Sequence, residues 1–174
     1  EDLNWLDITD GISGTVSCIE FSTDGNHMFV GTGHSSGGSV YRLSGLNDVY
    51  TAADAANLSF VNLNISGGSV TGIAVDPNNP DNVVVTSGNY GQSNFVWRST
   101  NATTANSNAF TSIQGNLPPM PCFDAVIMVD RPGYCVVGTD MGVWATEDVY
   151  ASPVVWTDEN SSMAHTPVFA VRQQ

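Results

Sequence analysis

Residues 70–116 read VTGIAVD (70–76), PNNPD (77–81), NVVVTSG (82–88), YGQS (90–93), NFVWRST (94–100), a polar tract, and FTSIQGN (110–116). Four short runs rich in β-branched and aromatic residues alternate with Gly, Pro, Asn, Asp and Ser. Each run is too short for a stable helix, and the punctuation supplies turns, so the stretch predicts four consecutive β-strands.

The same order recurs on either side. Upstream stand VSCIEFS, HMFVGTG, SVYRLSG and FVNLNIS; downstream stand CFDAVIM, YCVVGTD, GVWATED and WTDENSS. The third run is the clearest marker, with Val40-Tyr41-Arg42, Val96-Trp97-Arg98 and Val143-Trp144-Ala145 in one place. First runs begin at even intervals, near Val16, Val70 and Asp124. A four-stranded unit recurring every 40–55 residues or so is the mark of propeller blades. The predicted fold is therefore all-β: a β-propeller segment of about three four-stranded antiparallel blades, with a flanking strand at each end. The expected divisions are a blade end at 1–13, blades at 14–66, 67–118 and 119–163, and the start of another blade at 164–174. Residues 5–11 are expected as a lone fourth strand and residues 45–58 as the one stretch of helical tendency. Three blades do not normally close a ring, so the remaining blades are expected from the same or another chain, with this chain part of a larger protein.

Composition narrows the partners. Seventeen acids stand against four bases, a net charge of −13, and all four bases are Arg. Nucleic-acid affinity comes mainly from Lys and Arg neutralising phosphates, so no nucleic-acid partner is expected. No apolar run approaches the roughly 18 residues of a membrane span, and no membrane insertion is expected. Cys18, Cys122 and Cys135 offer neither a disulfide framework nor metal-ligand spacing and are expected as buried apolar side chains.

The runs Ile73-Ala74-Val75-Asp76-Pro77-Asn78-Asn79-Pro80-Asp81, Phe95-Val96-Trp97-Arg98-Ser99-Thr100 and Val137-Gly138-Thr139-Asp140-Met141-Gly142-Val143-Trp144 resemble the BNR/Asp-box class of β-propellers. That class includes sialidases, family 74 glycoside hydrolases and sortilin-type receptors. The Ser-x-Asp-x-Gly-x-x-Trp box itself is not intact in any blade: Asn101 and a polar insert follow Ser99-Thr100, and Ala145-Thr146-Glu147-Asp148 follow Trp144.

In antiparallel blades the second-to-third-strand connections share one end with the connections between blades. His34, Ser35, Asn89, Tyr90, Gln92, Asn116, Met120, Asp140 and His165 are expected there, and His34, Tyr90, Asp140 and His165 are the candidate ligand-binding residues. The resemblance makes Asp140 the candidate for a catalytic carboxylate, read as the only acid at that end. Asp followed by Gly also suits an ordinary tight turn. Glycoside hydrolysis needs a second carboxyl group, and none stands out. Tyr41, Trp97, Trp144, Arg42 and Arg98 are expected between blades, as packing and pairing residues and not as a sugar platform or an arginine triad. Asp10, Asp76, Asp81 and Asp130 fall in turns, where stabilising the turn is favoured over binding Ca²⁺. No cofactor and no metal are expected.

Three functional expectations follow. The first is a non-catalytic binding or interaction module of a secreted or cell-surface protein, such as an adhesin or a surface-assembly component, with a protein or polysaccharide ligand. The second is a fragment of a polysaccharide-cleaving hydrolase of the xyloglucanase-like propeller type. The third is a sortilin-like peptide-binding receptor segment.

Overall fold

The computed structural model describes residues 5–8, 11–34 and 37–174. Among these, strands gather into three four-stranded antiparallel sheets, each built from consecutive strands. The first holds β1 (Thr15–Phe21), β2 (His27–His34), β3 (Gly37–Ser44) and β4 (Phe60–Asn62). The second holds β5 (Val70–Asp76), β6 (Asn79–Ser87), β7 (Val96–Ser99) and β8 (Thr111–Ser112). The third holds β9 (Cys122–Ile127), β10 (Cys135–Thr139), β11 (Gly142–Thr146) and β12 (Thr157–Asp158). This is a partial β-propeller of three blades.

Strand alternation explains how the blades stack. Successive side chains point to opposite faces, so each strand gives one set of residues to the blade before it and another to the blade after. Phe29 and Val40 of the first blade meet Ile73, Val83, Val85 and Trp97 of the second in one core. Ala74, Val84 and Val96 of the second meet Cys122, Ile127, Cys135 and Val137 of the third in the next. Phe29, Val40, Val84 and Val96 are completely buried. Each such side chain contributes about 1.5–3 kcal/mol on burial, so apolar packing dominates both seams.

A repeated polar clamp adds direction to that packing. Arg42 Nη1 donates to the carbonyls of Ala102 and Ala105, both at 2.8 Å, in the connection after β7. Arg98, one repeat later, donates to Val149 (2.7 Å) and Ala151 (3.3 Å) in the connection after β11. Each arginine thus ties its blade to the next one's third-to-fourth-strand connection. Two of the third-strand aromatics pack into the seams as expected, Trp97 at 4% exposure and Trp144 against the second core, whereas Tyr41 packs with Met28, Val30 and Leu43 beneath Ile8 and Ile12.

The polar tract after β7 is an ordered staple. Ala102 is fully buried, Ala109 N–H donates to Leu63 O (3.0 Å), and Asp81 accepts from the Thr103 amide and hydroxyl. In the first blade the matching connection carries a 3₁₀ turn (Leu46–Asp48) and the short helix α1 (Ala52–Ala55). A capping box starts α1: Asp54 N–H donates to Thr51 Oγ1, and Thr51 N–H donates to Asp54 Oδ2.

The flanking segments differ from lone strands. Residues 5–8 and 11–13 make no strand, while residues 9 and 10, Asp10 included, lie outside the described set. Ile8 and Ile12 instead pack on Met28, Val30, Tyr41 and Leu43, the face of the first blade turned away from the second. At the other end, Val168 N–H donates to Thr139 O (2.9 Å), and Phe169 stacks obliquely on Phe123 with centroids 4.7 Å apart. Val171 N–H and the Arg172 guanidinium both reach Asp124. Residues 164–174 lie along the third blade without a strand ladder of their own.

Candidate functional site

A groove of about 800 Å³ opens at one end of the seam between the first and second blades. Its lining comes from three places: the start of β3 (Gly37, Gly38, Ser39), the connection between the blades (residues 65–68), and the β6–β7 loop (Asn89, Tyr90, Gln92), with Ser13, Thr32 and Tyr41 completing it. Glycines let the backbones meet here. A Cβ on Gly38 would stand 2.6 Å from Thr32 O and 2.7 Å from Val70 N, so only hydrogen fits where the hairpin abuts the connection. Among the described lining residues none carries a charge, although the chain as a whole carries −13. What lines the groove is two tyrosines, two amides, hydroxyls and exposed backbone.

Tyr90 stands 68% exposed at the rim, and its hydroxyl donates to Asp140 Oδ2 across the second seam. The bond to the carboxylate, with burial and charge repulsion adding to it, raises the Tyr90 pKa above its usual value. Tyr41, at the groove's inner edge, exchanges hydrogen bonds with Ser13: it accepts from the backbone N–H (3.3 Å) and donates to the carbonyl (3.4 Å).

The expected residues therefore separate. Tyr90, Asn89 and Gln92 line the groove, and Asp140 touches it only through Tyr90. Ser35 and the His34 side chain lie outside the described residues. His165 is exposed on the segment after β12, where its charge contributes to holding the Asp158 carboxyl below the usual range; the main cause there is the Asn160 amide. Two further residues expected at that end are taken up by packing. Met120 is 5% exposed within the second core, and Asn116 is committed to the Trp156 backbone, donating to its O (2.8 Å) and accepting from its N (2.7 Å).

Asp140 is not alone at its end. Antiparallel pairing of β11 with β12 carries the chain back beside Val143, whose carbonyl accepts from Glu159 N–H (3.0 Å), so Asp158 and Glu159 lie at the same end. Asp158 accepts from Asn160 N–H (2.8 Å), and Asn160 Oδ1 in turn accepts from Val143 N–H beside the Gly142 turn.

Among the described turn carboxylates, Asp76 and Asp81 accept hydrogen bonds from neighbouring segments. Asp76, 5% exposed, accepts from Asn78 N–H (2.8 Å), Asn82 Nδ2 (3.3 Å) and the Tyr150 hydroxyl (2.5 Å). Burial, with Asp76 second, pushes the Tyr150 pKa up. Among the described residues no group of three or more His, Cys, Asp or Glu is arranged to hold a metal ion. Two corners show a device hidden in the sequence: Asn101 N–H donates to Ser99 Oγ (3.2 Å), and Asp148 N–H donates to Thr146 Oγ1 (3.4 Å). A hydroxyl two residues before an Asx closes the same turn in both blades.

A second concavity, of about 630 Å³, lies along the inner strands β1, β5 and β9 and the segment 169–173. Desolvation raises the Glu20 pKa there and lifts the Cys18 thiol to about 11.

No family profile matches the chain, and no curated protein matches it. Solved structures do. A GH74 enzyme from Niastella koreensis superposes with a TM-score of 0.64 at 18% identity, over 86% of this chain and 24% of that one. The GH74 xyloglucanase from Xanthomonas campestris gives 0.59 at 15% identity, over 87% and 24%. The β-propeller domain of Cps50 (Swd1) from Myceliophteria thermophila gives 0.56 at 13% identity, over 87% and 41%. The chain thus spans less than half of each neighbour. At these identities the likeness establishes the propeller fold alone.

Proposed function

We propose that this chain is a non-catalytic binding module of a secreted or cell-surface protein, and that its ligand is a neutral polysaccharide segment lying in the groove between the first and second blades. One observation carries the reading: a groove without charge among its described lining residues, in a chain of net charge −13. A charged ligand buried there would lack a counter-charge, whereas hydroxyl-rich ligands are matched by amides, hydroxyls and backbone groups, with the exposed Tyr90 ring covering an apolar face. Calorimetric titration with neutral β-glucan oligosaccharides and with a carboxylated analogue tests it. Binding of the neutral series that weakens on Tyr90→Ala supports the reading; preference for the charged analogue, or no binding to either, sinks it.

The recurring Ser/Thr-x-Asx corners favour a degenerate BNR/Asp-box origin for the repeats. Further blades, from this or another chain, are expected to continue the stack. Val136 and Val143 are only half-buried, whereas the residues matching them in the other blades (Phe29, Val84, Val40 and Val96) are completely buried.

A second reading, a fragment of a glycoside hydrolase, is favoured by Asp140 sharing an end with Asp158 and Glu159, since that chemistry needs a pair of carboxyl groups. Two of the similar structures carry GH74 in their names. Asp140→Asn in the full-length protein separates the readings. Abolished polysaccharide cleavage supports the hydrolase, and unchanged cleavage removes Asp140 from catalysis.

A further inference from the structure

We propose that Asp140 is a positioning residue for the groove: through Tyr90 it holds the β6–β7 loop in place as the groove's outer wall. The proposal rests on the groove being the ligand site. Residues 89–93 are all exposed, so apolar packing does little to fix their shape. The backbone turns there through two left-handed residues, Asn89 (φ 70) and Gly91 (φ 91). The loop's base is secured by Phe95 N–H to Gln114 Oε1 (2.7 Å) and Ser112 Oγ to Asn94 Oδ1 (2.7 Å). Its tip has two tethers on opposite sides. Asn89 Nδ2 donates to Ser69 Oγ (3.3 Å) on the connection from the first blade, and Tyr90 donates to Asp140 in the third.

The anchor is firmer than what it holds. Asp140 N–H donates to Pro121 O (3.0 Å), Met141 N–H donates to Thr139 Oγ1 (3.2 Å), and Gly142 takes the left-handed conformation (φ 96) that closes the β10–β11 turn. Asp140 itself is absent from the groove lining. Its carboxylate therefore reaches a ligand only by orienting the Tyr90 ring, and it couples the third blade to a site formed by the first two.

The test uses the full chain with Asp140→Ala, Asp140→Asn, Tyr90→Phe and Tyr90→Ala, and the Asp140→Ala/Tyr90→Ala double variant. It reads amide hydrogen exchange at residues 89–92 and the Kd for cellohexaose as a neutral β-glucan probe. Asp140→Ala and Tyr90→Phe are expected to raise exchange at the tip to the same degree while β-strand exchange stays unchanged. Asp140→Asn, whose amide oxygen still accepts, is expected to restore most of the protection. Asp140→Ala should weaken cellohexaose binding roughly fivefold when Tyr90 is present and not at all in the Tyr90→Ala background, as loss of one hydrogen bond acting through one residue requires. Equal losses in both backgrounds, or tip exchange unmoved by Asp140→Ala, would overturn the proposal. If the wild-type chain binds no cellohexaose, the groove reading fails, and the exchange measurement alone decides whether Asp140 orders the loop.

Discussion

Tyr150 and Asp76 show how much a single hydrogen-bonded pair fixes. The Tyr150 hydroxyl crosses the second seam to a carboxylate already holding two asparagines. Tyr150→Phe keeps the ring and removes the donor, so chemical denaturation should show a loss of about 1 kcal/mol. Burial and Asp76 both favour the neutral phenol in the folded state, so its folded pKa lies above the unfolded value of about 10. That contribution is whole below about pH 10 and is lost as pH climbs further, because the unfolded chain then ionises first. Tyr150→Phe should accordingly flatten the alkaline fall in stability. The thiols make a second test. Burial lifts Cys18 to about 11 and Cys122 to about 12 and raises Cys135 as well. Since the thiolate is the reactive form, folded protein at pH 8 should alkylate Cys18 about a hundredfold more slowly than a free thiol, and Cys122 and Cys135 only after denaturation. Their strands are out of register, Cys135 opposite Ile127 and Cys122 opposite Thr139, so no disulfide joins them.

At the scale of the element, the arginine clamps carry the sharpest prediction. Arg42 is 7% exposed with two carbonyl acceptors at 2.8 Å, so Arg42→Met should cost about 2 kcal/mol by leaving those carbonyls unmatched. Arg98→Met should cost less, because its side chain is half-buried and its second bond is 3.3 Å. Paired urea titrations of the two variants measure the difference. The strands behind these clamps were legible because alternation and turn residues repeat: Val-Tyr-Arg, Val-Trp-Arg and Val-Trp-Ala mark one position in three blades. The connections were not legible. The tract after β7 has the composition of a flexible loop, and only the carbonyls it offers to Arg42 and the Asp81 cap show that it is a staple. Residues 5–11 read as a strand, but the described residues 5–8 form none, and Ile8 packs on the first blade instead. Of the candidate site, Tyr90, Asn89 and Gln92 could be found from topology. The groove could not, because its walls come from segments far apart in sequence and its key property is the charge it lacks.

For the whole molecule, two of the concavities that the three stacked blades form among the described residues are of similar size and opposite character. The groove is uncharged among its described residues, whereas the inner channel brings Glu20, Asp124 and Arg172 together beside Phe123 and Phe169. The ligand proposed for the first is a neutral polysaccharide, and the alternative is an extended peptide with charged side chains in the second. Chemical-shift mapping of the full chain, titrated with a neutral β-glucan oligosaccharide, distinguishes them most directly. With the oligosaccharide in the groove, perturbations are expected only at residues 37–41, 65–68 and 89–92. Perturbations confined to residues 17–21, 124–127 and 169–173, or none at saturating oligosaccharide, would contradict that placement.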